Sequence, residues 1–372
     1  MAKLSKDIFP EILMRLPIKP LVQFKCVSKQ WHSLILNPPF IRSQLQCALS
    51  RKPHLSTRVL LANCPLKSIS IESLSDPNVE APPTTVLKLP VKIPRECVID
   101  VVGSCNGLVC LHVSGKGLIV LNPTTGDCRE LPNSKVAPWN NKLFYGFGYD
   151  THTDDYKVVW GCPADLGGGA NSNQTSIVIF SLRTNSCRCL LEGTELRNYN
   201  RGVYASGCLH WLMSGSASEP VSRIISFDLS AEKFHEIVTV PMTATDDLES
   251  VLLEGLVVTG ECLFVYRRLT THFEAWVMKL EGKETSWTKW CSFPMDVMPV
   301  NRYCWFHPIA FTQDGNIISA ELVLYLYNFK ENAIRRFDFD EDEEESYFGS
   351  ATYIESLVSP YSDTQSVEDE EV

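Results

Sequence analysis

His210 beside Trp211, the carboxylates Asp150, Asp154 and Asp155, fourteen cysteines and the triplet Gln313-Asp314-Gly315 are the residues of this 372-residue chain whose types could do chemistry. A histidine next to a tryptophan suggests a catalytic dyad, yet a lone strand histidine is ordinarily packed and bonded to the backbone. The three aspartates could act as paired acid and base or hold a cation. They flank a turn, where aspartate is favoured because its carboxylate bonds the local backbone. Gln313-Asp314-Gly315 resembles a glycosidase aspartate box but lacks the tryptophan expected downstream. Residues 104–108 contain no nucleophile elbow, and no glycine-rich phosphate loop precedes a helix. The run of Asp338 and Asp340 through Glu345 lacks the turn and spaced ligands of a calcium loop. The expectation is a chain that is not an enzyme, with no metal and no cofactor.

Cysteine spacing points the same way. No two cysteines stand as Cys-x-x-Cys; the tightest pairs are Cys187 with Cys189 and Cys105 with Cys110. A tetrahedral zinc site needs ligands that a turn can close around the metal. The reading is therefore of reduced thiols acting as small apolar residues, which also sets aside a zinc-binding ligase domain. Hydrophobic residues make up 44% and charged residues 21%, the balance of a globular chain with a large core. No apolar run approaches the roughly 20 residues that span a bilayer. Pro10, Glu11 and Arg15 break the apolar stretch from Ile8 to Leu16, which does not fit a signal peptide. The expected compartment is cytosol or nucleus, so the sequon at Asn173 carries little meaning.

These residues must be positioned by two kinds of element. Residues 1–51 carry eight Lys or Arg against Asp7 and Glu11, a balance of +6, so the remainder supplies −16 of the net −10. A basic module suggests an acidic partner; nucleic acid fits poorly because few aromatic stacking groups accompany the cations. Ile8, Ile12, Leu13 and Leu16 recur at helical spacing, and Pro17 ends that helix. A second helix opens near Pro20 and carries Leu21, Phe24 and Val27 inward. A third, from about Lys29, holds Trp31, Leu34 and Ile35 and ends before Asn37-Pro38-Pro39. Three such helices bury too little surface to stand alone.

After Pro53 the texture changes to short strands and turns. LNPTTGDCREL from Leu121, FSLRTNSCRCL from Phe180 and FDLSAEKFHEI from Phe227 each join two strands through a polar turn. Weaker copies are MKLEGKETSWTKW from Met278 and YNFKENAIRRF from Tyr327. Their spacing is close to the roughly 50-residue period of a kelch-type propeller blade. A sixth blade would combine a strand near 58–61 or 85–89 with one at 352–358, closing the ring and removing its edges. An irregular β-sandwich is the alternative. The fold class is thus segregated α+β, a three-helix module at 1–50 followed by an all-β, kelch-like β-propeller at 51–358. An acidic disordered tail would fill 359–372.

Leu4, Asp7-Ile8, Glu11-Ile12-Leu13, Arg15-Leu16-Pro17, Lys19, Leu21, Phe24-Lys25-Cys26-Val27-Ser28-Lys29 and Trp31 form a pattern that is similar to plant-type F-boxes. The resemblance implies docking on a Skp-type adaptor and, through it, on cullin and RING subunits of a ubiquitin ligase. Leu4, Ile8, Leu13, Leu16, Pro17, Val27, Ser28 and Trp31 would form the docking face or its support. Ser5 stands where many family members have proline, and Pro20 where Ser or Asp often caps the second helix. The remainder resembles the plant F-box-associated domain. The segments Gly103-Ser104-Cys105-Asn106-Gly107-Leu108, Gly146-Phe147-Gly148-Tyr149-Asp150, Asp154-Asp155-Tyr156-Lys157-Val158 and Gly207-Cys208-Leu209-His210-Trp211 carry that likeness. It lacks the double glycine of true kelch repeats; Gly167-Gly168-Gly169 falls in a loop instead.

The family resemblance implies a substrate-recognition adaptor, with the β-domain holding an unknown target protein. Candidate loops are 138–142, 166–173, 214–221, 243–249 and 268–273, with Trp139, Asn171, Glu219, Asp246, Asp247 and His272 as contact residues. A propeller that binds proteins or glycans outside any ligase is the alternative.

Overall fold

A computed structural model describes residues 8–50, 57–94, 97–132, 142–163, 175–192, 200–213, 222–237, 253–269, 271–280, 286–295, 306–312, 314–320, 323–337 and 349–361. The N-terminal module holds α1 (Ile8–Met14), α2 (Ile18–Phe24) and α3 (Lys29–Ile35), as the sequence predicts. Pro10 sits in the first turn of α1, where its missing N–H costs nothing, and Pro17 occupies the N-cap of α2. Ser28 caps α3, its hydroxyl accepting from the Trp31 amide at 3.2 Å. A fourth helix, α4 (Pro38–Ser50), follows at once and extends the three-helix expectation. The two prolines that stop one helix also suit the first turn of the next.

Six sheets fill the rest of the described residues. Blade one holds β1 (Thr57–Ala62), β2 (Lys67–Ser70) and β3 (Thr84–Val86), with a short helix α5 (Ile71–Ser75) before β3. Blade two is β4 (Ile99–Cys105), β5 (Leu108–Val113), β6 (Gly117–Leu121) and β7 (Cys128–Glu130). Blade three is β8 (Phe144–Asp150), β9 (Asp155–Pro163), β10 (Thr175–Ser181) and β11 (Ser186–Glu192); β12 (Asn200–Arg201) pairs parallel to β8. Blade four is β13 (Val203–Ala205), β14 (Cys208–Met213), β15 (Arg223–Asp228) and β16 (Lys233–Ile237). Blade five is β17 (Gly255–Thr259), β18 (Cys262–Arg268), β19 (His272–Lys279) and β20 (Thr288–Pro294). Blade six is β21 (Pro308–Phe311), β22 (Asn316–Ala320), β23 (Leu324–Asn328) and β24 (Ala333–Phe337).

The ring closes through β25 (Gly349–Ile354), which pairs antiparallel with β1, Arg58 opposite Tyr353, and becomes the innermost strand of blade one. Both strands proposed for the sixth blade, near 58–61 and 85–89, belong to this one sheet. The closing strand ends at Ile354, four residues before the expected 358. The innermost strands β25, β4, β8, β13, β17 and β21 neighbour one another in that order around the axis. The architecture is a six-bladed propeller.

Each blade is buried on both faces, which explains why its strands read as continuous apolar runs. Val178 and Phe180 of β10 pack towards blade two, whereas Ile177 and Ile179 pack towards blade four. Likewise Phe264 and Tyr266 of β18 face blade six, and Leu263 and Val265 face blade four. The repeated hairpins in the sequence are the outer pairs of blades two to six: β6–β7, β10–β11, β15–β16, β19–β20 and β23–β24. Their shared turn has a physical signature. A polar side chain opens it: Asn122, Ser181, Asp228 and Asn328 accept from the amides of Thr124, Thr184, Ser230 and Lys330 at 2.8–3.1 Å. Four residues on, Gly126, Asn185, Glu232 and Asn332 adopt positive φ. Blade one has α5 in place of this turn, so no sixth copy is visible in the sequence.

Candidate protein-docking surfaces

The helical module is built around Leu13, Ile18, Leu21, Ile35 and Phe40, all buried. Trp31 is half-buried, edge-on to Phe24 at 5.3 Å and tilted against Phe9 at 6.4 Å. Of the residues the sequence proposes for docking, Leu4 lies outside the described residues and Ile8 opens α1. Leu13 supports the module from its core, Leu16 is half-buried, and Pro17 and Ser28 are exposed. Val27, expected inward on α2, is 59% exposed. α2 ends at Phe24, and the amides of Cys26 and Val27 turn back onto Gln23 and Phe24, so helical periodicity no longer governs position 27. Ile12 is the residue sequence reasoning missed: it is 45% exposed. Leu13 lies about 100° around α1 from Ile12, so one enters the core while the other faces out. The module therefore presents exposed apolar groups at Ile12, Val27 and Leu36 among Glu11, Lys19 and Lys29.

The propeller offers two faces. The turns joining the first two strands of blades two to six, such as Asn106-Gly107 and Ser206-Gly207, ring one end of the central channel. Both turns use two residues of positive φ, the geometry that continues the strand twist. α4 lies over this end, and a cavity of about 790 Å³ separates it from the channel mouth. Strand directions alternate, so the brackets of all five candidate loops lie on the opposite face: Phe144, Pro163 with Thr175, Met213 with Arg223, Gly255, and Arg268 with Phe273. Trp139, Asn171, Glu219, Asp246 and Asp247 lie outside the described residues. His272 is exposed at the start of β19, its Nδ1 2.9 Å from the Thr271 hydroxyl.

Charge is locally paired at the central opening of that face. Lys142 meets Asp100 at 3.2 Å, and Arg268 meets Glu254 at 2.5 Å. Arg201 Nη1 donates to the Ser350 carbonyl at 2.7 Å, tying blade three to blade one. The bond from His112, with Lys142, holds the Asp100 carboxyl below its ordinary range. Burial, with the cations of Arg268 and Arg201, pushes His307 down to about 4, leaving it neutral at pH 7.

The residues that suggested catalysis have structural roles. His210 is buried, with Nδ1 2.5 Å from the Ser226 hydroxyl. Asp150 is fully buried and accepts from Lys157 at 2.7 Å, from Thr153 and Ser230, and from the His152 amide. Burial alone would raise its pKa, but these bonds outweigh it and hold the carboxyl far below its ordinary value. Asp155 accepts from the Arg183 amide at 2.8 Å across the β10–β11 turn. Cysteines among the described residues are free, and no cluster of three metal-ligating side chains occurs among them. No described helix is long and apolar enough to cross a membrane.

A small basic helical module is mounted on one face of a closed six-bladed propeller, an arrangement of two joined domains. The chain belongs to the F-box proteins that carry an F-box associated beta propeller domain. The F-box domain matches residues 1–43 and the propeller domain residues 57–360. An F-box/kelch-repeat protein of Arabidopsis thaliana is 30% identical over 372 residues, covering 96% of each chain. The F-box protein CPR1 of the same plant is 29% identical over 344 residues, covering 87% of this chain and 80% of that one. Among solved structures, TolB from Acinetobacter baumannii aligns over 86% of this chain and 74% of that one, at 10% identity and TM-score 0.47. The blade count rests on this chain's own sheets.

Proposed function

We propose that the chain is the substrate-recognition adaptor of a Skp–cullin–F-box ubiquitin ligase and is itself noncatalytic. The F-box helices bind a Skp-type adaptor, which brings the cullin and RING subunits. The propeller face away from α4 holds a target protein, in the cytosol or nucleus. Ubiquitin transfer is then raised by proximity, because a bound target meets the charged enzyme at high effective concentration. The observation that carries this reading is the exposure of Ile12, Val27 and Leu36 on an F-box whose Leu13, Ile18, Leu21 and Ile35 are committed to its core.

Exposed anchors permit a clean test, because changing them leaves the core intact. In a pull-down with a Skp-type adaptor, the wild-type chain binds. Ile12→Asp and Val27→Asp each lose at least about tenfold in affinity, as anchor residues do, with unchanged circular dichroism. Failure of the wild type to bind overturns the adaptor reading; unchanged binding by both variants overturns the assigned face.

A further inference from the structure

The helical module and the propeller meet across a gap. With about 790 Å³ of space beneath α4, its packing on the disc is concentrated in Ile41 and Leu45, which reach the cluster between blades two and three. Arg42 and Asp154 add an ion pair at 3.3 Å, but both are exposed, and exposed pairs hold weakly. Among the described residues, segment 356–361, beyond the strand that closes the ring, also bridges the junction.

Residues 356–361 have no regular structure, yet five of the six are fixed by a named contact. Leu357 is 3% exposed and completes the helical core beside Leu13, Ile18 and Leu21. Its neighbour Val358 enters the propeller cluster between blades two and three. Asn122 Nδ2 donates to the carbonyls of Ser356 at 3.0 Å and Val358 at 2.8 Å. Arg129 Nη1 donates to the Pro360 carbonyl at 3.2 Å, and the Tyr361 hydroxyl to the Cys128 carbonyl at 2.8 Å. The Ser356 hydroxyl donates to Asn106 O at 2.9 Å. Here glycine is required at 107, because a Cβ would stand 2.2 Å from Ser356 Oγ. Of the residues assigned by sequence to the tail, Pro360 and Tyr361 are bonded to the disc, and Ser359 accepts from the Tyr361 amide at 3.2 Å; 362–372 lie outside the described residues.

We infer that segment 356–361 is a strut that fixes the F-box at one angle on the propeller, with Leu357 anchored in one body and Val358 in the other. Resting on the proposed function, the strut holds the adaptor-binding helices and the target-holding face at a set separation and orientation. Because β25 ends at Ile354, the strut can be removed without opening the ring.

Hydrogen–deuterium exchange of three chains tests this: the full chain, a chain ended after Glu355, and Asn122→Asp. The Asp substitution keeps the acceptor that Thr124 and Thr125 use in the outer turn and removes the bonds that Nδ2 donates to the strut. Amides of α1 to α4 are expected to exchange at least about tenfold faster in the shortened chain, and measurably faster in Asn122→Asp. Strands of blades three to six keep their protection, and the scattering radius of the shortened chain grows. Unchanged exchange in α1 to α4 overturns the strut. Loss of protection throughout the propeller also overturns it, by making the segment part of the ring. These readouts need no adaptor, so a failed pull-down refutes the adaptor reading alone.

Discussion

At the scale of single residues, the chemistry-bearing side chains turn out to be held rather than poised. His210 was legible as a packed histidine because it stands alone in an apolar strand, and its bonds to Ser226 and Ala205 bear this out. Burial, the largest influence, pushes its pKa down to about 4, against about 6.5 for a free histidine. The unfolded chain therefore takes up a proton near pH 6.5 that the native chain refuses until about pH 4. Stability from this group is complete above pH 6.5, falls as pH descends, and levels off below about 4, a loss of about 3 kcal/mol. In urea titrations from pH 7 to pH 4, His210→Gln is expected to show a shallower decline than wild type, whatever its absolute stability; parallel curves would refute the assignment. Val27 was the less legible residue. Its inward placement assumed that α2 continues, and only the turn after Phe24 shows otherwise.

At the scale of elements, the outer hairpins were readable because each repeats the same local problem. A four-residue turn must end in positive φ, and Asn or Gly meets that requirement at least cost. Asn332 does so at φ 52° while its Oδ1 accepts from Tyr327 at 2.9 Å. Asn332→Ala should destabilise the chain by about 1–2 kcal/mol, and Asn332→Gly by less, as read from thermal unfolding. Equal losses would mean that the Tyr327 bond, not the backbone, governs the position. α4 was not readable, because Pro38-Pro39 reads as a stop and nothing local says that a helix begins there. Its buried Phe40, Gln44 and Ala48 recur at four-residue spacing, a signal the prolines obscured. The strut was illegible for a different reason: Leu357 finds its partners more than 300 residues upstream, and no window of sequence contains both ends.

At the scale of the whole molecule, charge is divided between the two bodies: +6 over residues 1–51 and −16 over the rest. Association of the F-box with an acidic adaptor is therefore expected to be electrostatically steered. Raising NaCl from about 0.05 to 0.5 M should slow association on the order of tenfold while changing dissociation less; stopped-flow rates independent of salt would refute it. The same division was legible from composition, whereas which face carries the helices was not, since it depends on strand direction. The pairing of β1 with β25 also sets a timetable. Synthesis delivers the helices before the blades, and their core residue Leu357 only after them, together with the strand that closes the disc. Folding from the N-terminus as the chain emerges cannot finish either body early. A chain cut short before β25 lacks a sealed ring and a completed helical core at once, so an unfinished copy has neither body whole.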